Sequence, residues 1–391
     1  MPSLIPASDP TKAKPARDSL RIKLALIVFG LGMGLLIAEI GLRIYNPFGF
    51  RMRGNTIVLP VNQNYVIEDS NFDRFDLLDR RVVHTKNSLG FRGPEPPPDF
   101  SQRLTILTVG GSTTEGFYLS DHQTWPALLQ AKLQPAFSKV WLNNAGFDGH
   151  SSFGHVVLVR DYVSKLRPKV VLIMVGLNDL FADGPKTLDH IERSELAGSI
   201  ANHSELFGLG LNVIRYWRTA GLKSLGAMPK AVNLLEPEYV DIAAEEEESV
   251  LHGQERFLPE YEARLVQLID LSRENGIEPV FITHPALFGD ALDDVTWSDL
   301  SLVSVEIYRK MNGRMAWRLL EKYNDITRKV GRERRVGVID LAAQLPKSSR
   351  YFYDYLHYGK EGAARVAEIV ASELCPMLKA KWSGHATGEC G

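Results

Sequence analysis

Asp354 and His357 are separated by two residues, a spacing that lets a carboxylate orient an imidazole ring and leave its other nitrogen free as a base. The hydroxyl best placed to use that base is Ser112, in Gly110-Gly111-Ser112-Thr113-Thr114. Its glycines open space above a hydroxyl, and its amide would point toward a ligand at a helix start. Serine in such a place is more often a helix N-cap, so Ser112 carries little weight alone. Phosphate-cradling loops of the G-x-x-x-x-G-K-[ST] or G-x-G-x-x-G kind are absent from the chain. Two further clusters are Asn144-Ala145-Gly146-Phe147-Asp148-Gly149-His150 and Gly176-Leu177-Asn178-Asp179, each readable as simple turn chemistry. Together the clusters supply a nucleophile, backbone donors, a side-chain amide and an acid-base pair, the parts that acyl transfer needs.

Such parts work only if the fold collects them. Five short runs, Leu104 to Val109, Val140 to Asn144, Val170 to Val175, Val280 to Thr283 and Val336 to Asp340, are mostly continuously apolar, as strands buried on both faces should be. Helical patterns alternate with them at Thr124 to Leu133, Phe153 to Lys165, Pro259 to Asn275, Val303 to Val330 and Glu361 to Leu378. This alternation predicts an α/β fold, a five-stranded parallel sheet with helices on both faces. Ligands bind beyond the carboxyl ends of such strands, where each of the clusters falls. Gly54 to Phe100 has no sustained period, and 46–100 reads as a connecting segment along the domain surface. An interval at 180–258 exceeds an ordinary connection of about 2 to 6 residues and must hold structure of its own. Within it, Leu206 to Leu225 has apolar residues at helical spacing with Arg215, Arg218 and Lys223, and Glu245 to Glu248 reads as a solvated helix face.

A net charge of −2 removes the electrostatic case for nucleic-acid binding, so none is expected as a partner. The apolar run from Leu24 to Ala38 continues to Ile44 with only Glu39 and Arg43 charged, and as a helix it spans roughly 31 Å, against about 30 Å of hydrocarbon. A cleaved signal or a buried soluble helix are the rival readings, but no small-residue cleavage site follows Ala38. Lys12, Lys14, Arg17, Arg21 and Lys23 precede the run, against Arg43, Arg51 and Arg53 after it, which favours the N-terminus inside. The rest of the chain would then face the periplasm or the exterior, where Cys375 and Cys390 are expected to pair. The expected division is a cytoplasmic tail at 1–22, a transmembrane anchor at 23–45, the connecting segment at 46–100, a catalytic domain at 101–379 with its insertion at 180–258, and a tail at 380–391.

Gly-Gly-Ser-Thr at 110–113, Asn-Ala-Gly-Phe-Asp-Gly at 144–149, Gly-Leu-Asn-Asp at 176–179 and Asp-Tyr-Leu-His at 354–357 resemble, in order, the four blocks of the SGNH hydrolases, or GDSL-like esterases. The first block departs from the family's Gly-Asp-Ser by a second glycine. Asn87 to Gly93 also resembles a lead-in found in membrane-anchored members. The resemblance implies a three-layer α/β/α sandwich of the flavodoxin-like SGNH type, with Ser112 as nucleophile, His357 as general base and Asp354 orienting it. It implies an oxyanion hole from the amides of Ser112 and Gly149 and the side chain of Asn178, Gly146 being the weaker donor. His150 and His284 are read as structural or substrate-contacting, and His155 as helical. No metal or cofactor is implied, since the acyl group passes through a Ser112 ester. The expectation is a membrane-anchored serine esterase of the inner membrane acting on acylated glycans or lipids, O-acetyl groups among them. An O-acyltransferase with the same triad and a non-catalytic glycan-binding or assembly protein are the alternatives.

Overall fold

The computed structural model describes residues 17–45, 52–54, 56–68, 77–181, 195–219, 234–307 and 309–390. The tail before residue 17 and the 220–225 part of the amphipathic portion lie outside them. A long helix α1 (Arg17–Ile44) leads into two antiparallel pairs, β1 (Met52–Arg53) with β2 (Thr56–Ile57), and β3 (Gln63–Glu68) with β4 (Arg81–Lys86). The alternating part then runs β5 (Leu104–Val109), α2 (Ser112–Glu115), α3 (Trp125–Leu133), β6 (Val140–Asn144) and α4 (Ser152–Leu158). A π-helical stretch, Val159–Val163, carries α4 into α5 (Ser164–Leu166) and then β7 (Val170–Met174). The insertion contributes α6 (Glu195–His203), α7 (Glu205–Thr219) and α8 (Ala244–Glu255). After α9 (Leu258–Glu274) come β8 (Glu278–Ile282), the antiparallel pair β9 (Ser304–Ile307) and β10 (Arg309–Asn312), α10 (Gly313–Arg334), β11 (Gly337–Ile339), α11 (Leu341–Gln344) and α12 (Lys360–Lys381).

The central sheet has the order β11-β8-β7-β5-β6, every neighbouring pair parallel. All six residues of β5 and all five of β6 and of β7 are buried, which is why these runs lack polar alternation. Helices α3 and α12 pack together, as do α4, α9 and α10, so the sheet is the middle of three layers. From β5 the chain moves outward to β6, then crosses back over β5 to β7. The winding therefore reverses at β5, and a crevice opens beyond its carboxyl end.

The five expected strands coincide with the sheet to within two residues at their ends. The expected helix at Val303 to Val330 does not begin where its apolar spacing suggested. Ser304–Ile307 and Arg309–Asn312 form β9 and β10, and α10 starts only at Gly313, where the Asn312 side chain accepts from the Met315 amide at 2.9 Å. An N-cap decides the boundary that periodicity blurred. The acidic run is helical as expected, but Glu247 is buried, taking Arg318 at 2.7 Å and Arg314 at 3.3 Å from α10. Its neighbour Glu248 pairs with the same Arg318, so this face binds α8 to the domain. Cys375 and Cys390 form the expected disulfide, with Cα atoms 5.9 Å apart.

Arg21–Ile44 of α1, with mean hydropathy 2.2, is long and apolar enough to cross a membrane, and none of its most apolar window is buried.

Candidate active site

Ser112 follows β5 as the first residue of α2, His357 and Asp354 precede α12, and the sheet brings them together. His357 Nε2 lies 2.8 Å from Ser112 Oγ, and His357 Nδ1 lies 2.7 Å from Asp354 Oδ2. The carboxylate can only accept, so Nδ1 carries the proton and Nε2 is left to accept from the serine hydroxyl. Asp354 Oδ1 is held in turn by the amides of Leu356, at 2.8 Å, and His357, at 2.7 Å. The ring of Tyr353 stacks on the imidazole, 5.6 Å between centroids and 9° from parallel. Burial alone would push His357 down, but the charge and hydrogen bond of Asp354 outweigh it and hold the imidazole above its ordinary value. Burial would likewise raise Asp354, and its bonds to His357 and the two amides instead hold it low.

The glycines of the first block serve close approach rather than an unusual backbone. A Cβ on Gly111 would fall 2.5 Å from Asn178 Nδ2, and one on Gly110 2.1 Å from Thr114 Oγ1. Asn178 reaches across from the end of β7 and donates to the His150 carbonyl at 2.8 Å, tying the third block to the second. Gly149, in that second block, has φ +72°, a conformation that any side chain would strain. Ser112, Gly149 and Asn178 all remain partly exposed, and the residues flanking Ser112 and Asn178 are buried, so the site is open on one side. A narrow cleft adjoins Ser112 and His357, with Tyr118, Leu119, Trp125, Tyr353 and Tyr358 in its wall.

A family model for GDSL-like lipases and acylhydrolases matches residues 108–365. The chain belongs to the GDSL-like Lipase/Acylhydrolase family. By that membership it is an ester-hydrolysing enzyme. No curated protein matches it. Among solved structures it is similar to the lipase/acylhydrolase from Enterococcus faecalis, at 14% identity and TM-score 0.40, over 73% of this chain and 98% of that one. It is also similar to an acetylxylan esterase from Geobacillus stearothermophilus, at 14% identity and TM-score 0.39, over 69% and 93% of the two chains. LAE5, an alpha/beta hydrolase enzyme from the metagenome of Lake Arreo, Spain, is similar at 16% identity and TM-score 0.39, over 69% and 95%.

Two other histidines of this GDSL-like enzyme, His155 and His284, are both buried. His155 is buried on α4 and pushed down to about 4 by burial. His284 is also buried and pushed down to about 4; its Nδ1 donates to the Pro285 carbonyl at 2.9 Å, so Nε2 accepts from the Thr113 hydroxyl at 3.0 Å. It therefore steadies the residue after Ser112. Asp179, beside Asn178, is fully occupied by Ser152 and by Arg264, whose guanidinium lies over Phe153 at 3.7 Å.

Sequence reasoning missed the support that the segment before residue 100 provides. Rather than running along the surface, residues from β4 to Arg92 enter the domain. The Lys86 ammonium, buried, meets Glu115 Oε1 at 2.8 Å, and Glu115 Oε2 accepts the Asp148 amide at 2.7 Å. Glu115 thus links the α2 turn that starts at Ser112 to the loop that carries Gly149. Arg92, also buried, donates to the carbonyls of Glu115, Gly116 and Leu119 and to Asp121, caging the same turn. Asn144 Nδ2 donates to the Thr114 carbonyl at 2.7 Å. The only sequence signal was the Asn87 to Gly93 resemblance; Lys86 and Glu115 are buried through an ion pair, which leaves no apolar period to read.

Removing one partner of such a pair strands the other charge in the interior, so Lys86→Ala should lower unfolding free energy by about 3 to 5 kcal/mol. Urea titration followed by tryptophan fluorescence checks this. The double variant Lys86→Met, Glu115→Gln should recover part of the loss, because it leaves no buried charge and retains an acceptor for the Asp148 amide.

Proposed function

We propose that this chain is a membrane-anchored serine esterase in which Ser112, His357 and Asp354 are the catalytic triad and the amides of Ser112 and Gly149 with the Asn178 side chain form the oxyanion hole. The observation that carries the reading is the continuous chain of two short hydrogen bonds from Ser112 through His357 to Asp354. His357 Nε2 takes the hydroxyl proton as Ser112 Oγ attacks the ester carbonyl. A carbon–oxygen bond forms, the carbonyl π electrons move onto oxygen, and the three donors meet the new negative charge. The intermediate collapses by releasing the alcohol, which receives its proton from His357, and Ser112 is left as an ester. A water molecule deprotonated by the same imidazole then attacks that ester, frees the carboxylic acid and restores Ser112.

Three observations support an anchored enzyme outside the cytoplasm: the apolar length of α1, the excess of basic residues before it, and the Cys375–Cys390 bridge, which an oxidising compartment preserves. The aromatic wall beside Ser112 suits a short acyl group, and an envelope location supplies O-acylated glycans or lipids as substrates. The test is to incubate the protein with acetylated polysaccharide, with and without a second, unacetylated glycan, and to measure free acetate and acetylated acceptor separately. Free acetate in both mixtures supports the hydrolase. Transfer to the added glycan without free acetate would make a sugar hydroxyl, not water, the acceptor.

Asn178→Ala removes one donor to the developing oxyanion and should lower kcat by about 10² to 10³ while leaving KM nearly unchanged. Steady-state kinetics on a small aryl ester measure it; an unchanged kcat would remove Asn178 from the oxyanion hole.

A further inference from the structure

Glu39 is a carboxylate inside the apolar helix α1, and the structure gives it a set of partners from the insertion. Its two oxygens accept from the Ser204 hydroxyl at 2.9 Å and from the amides of Glu205 and Leu206, each at 3.0 Å. They therefore cap the first turn of α7, where amides have no partner within the helix. Around this junction Arg43 pairs with Glu39 itself and donates to the His203 carbonyl, and Arg53 pairs with Glu205 at 2.5 Å. Beyond Glu205, α7 carries no charged residue until Arg215. Its outward positions include Phe207, Val213 and Ile214, exposed by 39%, 43% and 48%, and neighbouring α6 exposes Leu196 and Ile200.

Water is a poor neighbour for that face, and the depth of the junction points to another. Glu39 lies five residues before the end of α1, about 8 Å along the axis, which is the depth of about 5 to 10 Å at which interfacial helices sit. We infer that α6 and α7 form a second membrane element, lying in the outer leaflet beside α1 with Phe207, Val213 and Ile214 among the acyl chains, and that Glu39 locks them to the anchor. The inference rests on the anchored reading of α1. It explains why a carboxylate interrupts an apolar helix: the charge is held at the interface by three donors and an arginine. It also gives part of the insertion a role, since a domain tied to the bilayer at two places is held at a set orientation above it.

The experiment places a single thiol at Ile214→Cys or Phe207→Cys in the full-length protein, whose own cysteines are bridged. Each is labelled with an environment-sensitive dye and reconstituted into phosphatidylcholine–phosphatidylglycerol vesicles containing nitroxide lipids quenching at shallow or deep positions. Leu31→Cys, in the middle of α1, reports the anchor, and Glu373→Cys, exposed on α12, reports the aqueous domain. Only variants with unchanged thermal unfolding are compared, and two positions on α7 guard against loss of either. Shallow nitroxides should quench the labels at 207 and 214 several-fold more than the label at 373, and deep nitroxides should quench the label at 31. Glu39→Ala should reduce quenching at 214 and leave that at 31 unchanged. If 31 is quenched while 207 and 214 match 373, the second membrane element is refuted and the anchor stands. A blue-shifted label at 214 that no lipid nitroxide quenches would mean that protein covers this face, and would also overturn the inference. Failure to quench 31 would remove the anchored reading, and this inference with it.

Discussion

Ser112→Ala should abolish labelling by a serine-directed fluorophosphonate and lower turnover of a small aryl ester by about 10⁶, without unfolding the domain. On the proposed mechanism the side chain lost is the one that forms the covalent bond, and Thr113, the nearest hydroxyl in sequence, is buried with its oxygen held by His284. Folding should survive because Ser112 contributes to α2 through its backbone, its carbonyl accepting the Gly116 amide at 2.8 Å. His357→Ala should cost nearly as much. The double variant should cost no more than either single one, because each change already disables the same step. Normal turnover by Ser112→Ala would remove the catalytic assignment altogether.

Asp354→Asn should lower kcat by about 10⁴, although it alters the shape of the site hardly at all. Two amides, those of Leu356 and His357, donate to Asp354 Oδ1, so the carbonyl oxygen of an asparagine would stay there and its NH₂ group would face His357 Nδ1. That nitrogen would then have to accept, the ring proton would move to Nε2, and the base would present a proton to Ser112 instead of a lone pair. The pH profile gives a second reading of the same contact. Asp354 holds the His357 imidazole above its ordinary value of about 6.5, and the imidazole works as a base only when neutral. In the wild-type enzyme kcat/KM should therefore rise with pH along a limb whose midpoint lies above that value, and in Asp354→Asn the midpoint should move down. A midpoint unmoved by the substitution would show that Asp354 does not govern the ionisation of His357.

The helix starting at Gly313, the buried Glu247 and the Lys86–Glu115 pair mark where reading by pattern stopped. Periodicity reports which residues face an apolar core, so it located the five strands of the sheet, the central β5 and β7 and the neighbouring β6 being buried on both faces. It is silent about charges buried in pairs, because an ammonium and a carboxylate look solvated until their partners are known. Glu247 sits in a run of four glutamates, and only the packing of α8 on α10 distinguishes it from Glu245 and Glu246.

What the sequence by itself determined is the local chemistry: four motifs whose side chains and glycines suit acyl transfer, each following a β-rich run, and an apolar N-terminal stretch long enough for a bilayer. Local spacing suffices there because an Asp three residues before a His, or a strand running into Gly-Gly-Ser, is settled by neighbours in the chain. The tertiary structure alone decided how Ser112 and His357, distant in sequence, come within 2.8 Å, how Lys86 and Arg92 brace the turn between them, and why Glu39 lies in an apolar helix. These are contacts between segments far apart along the chain, and their energy depends on desolvation and partner geometry, which no local pattern of residues encodes.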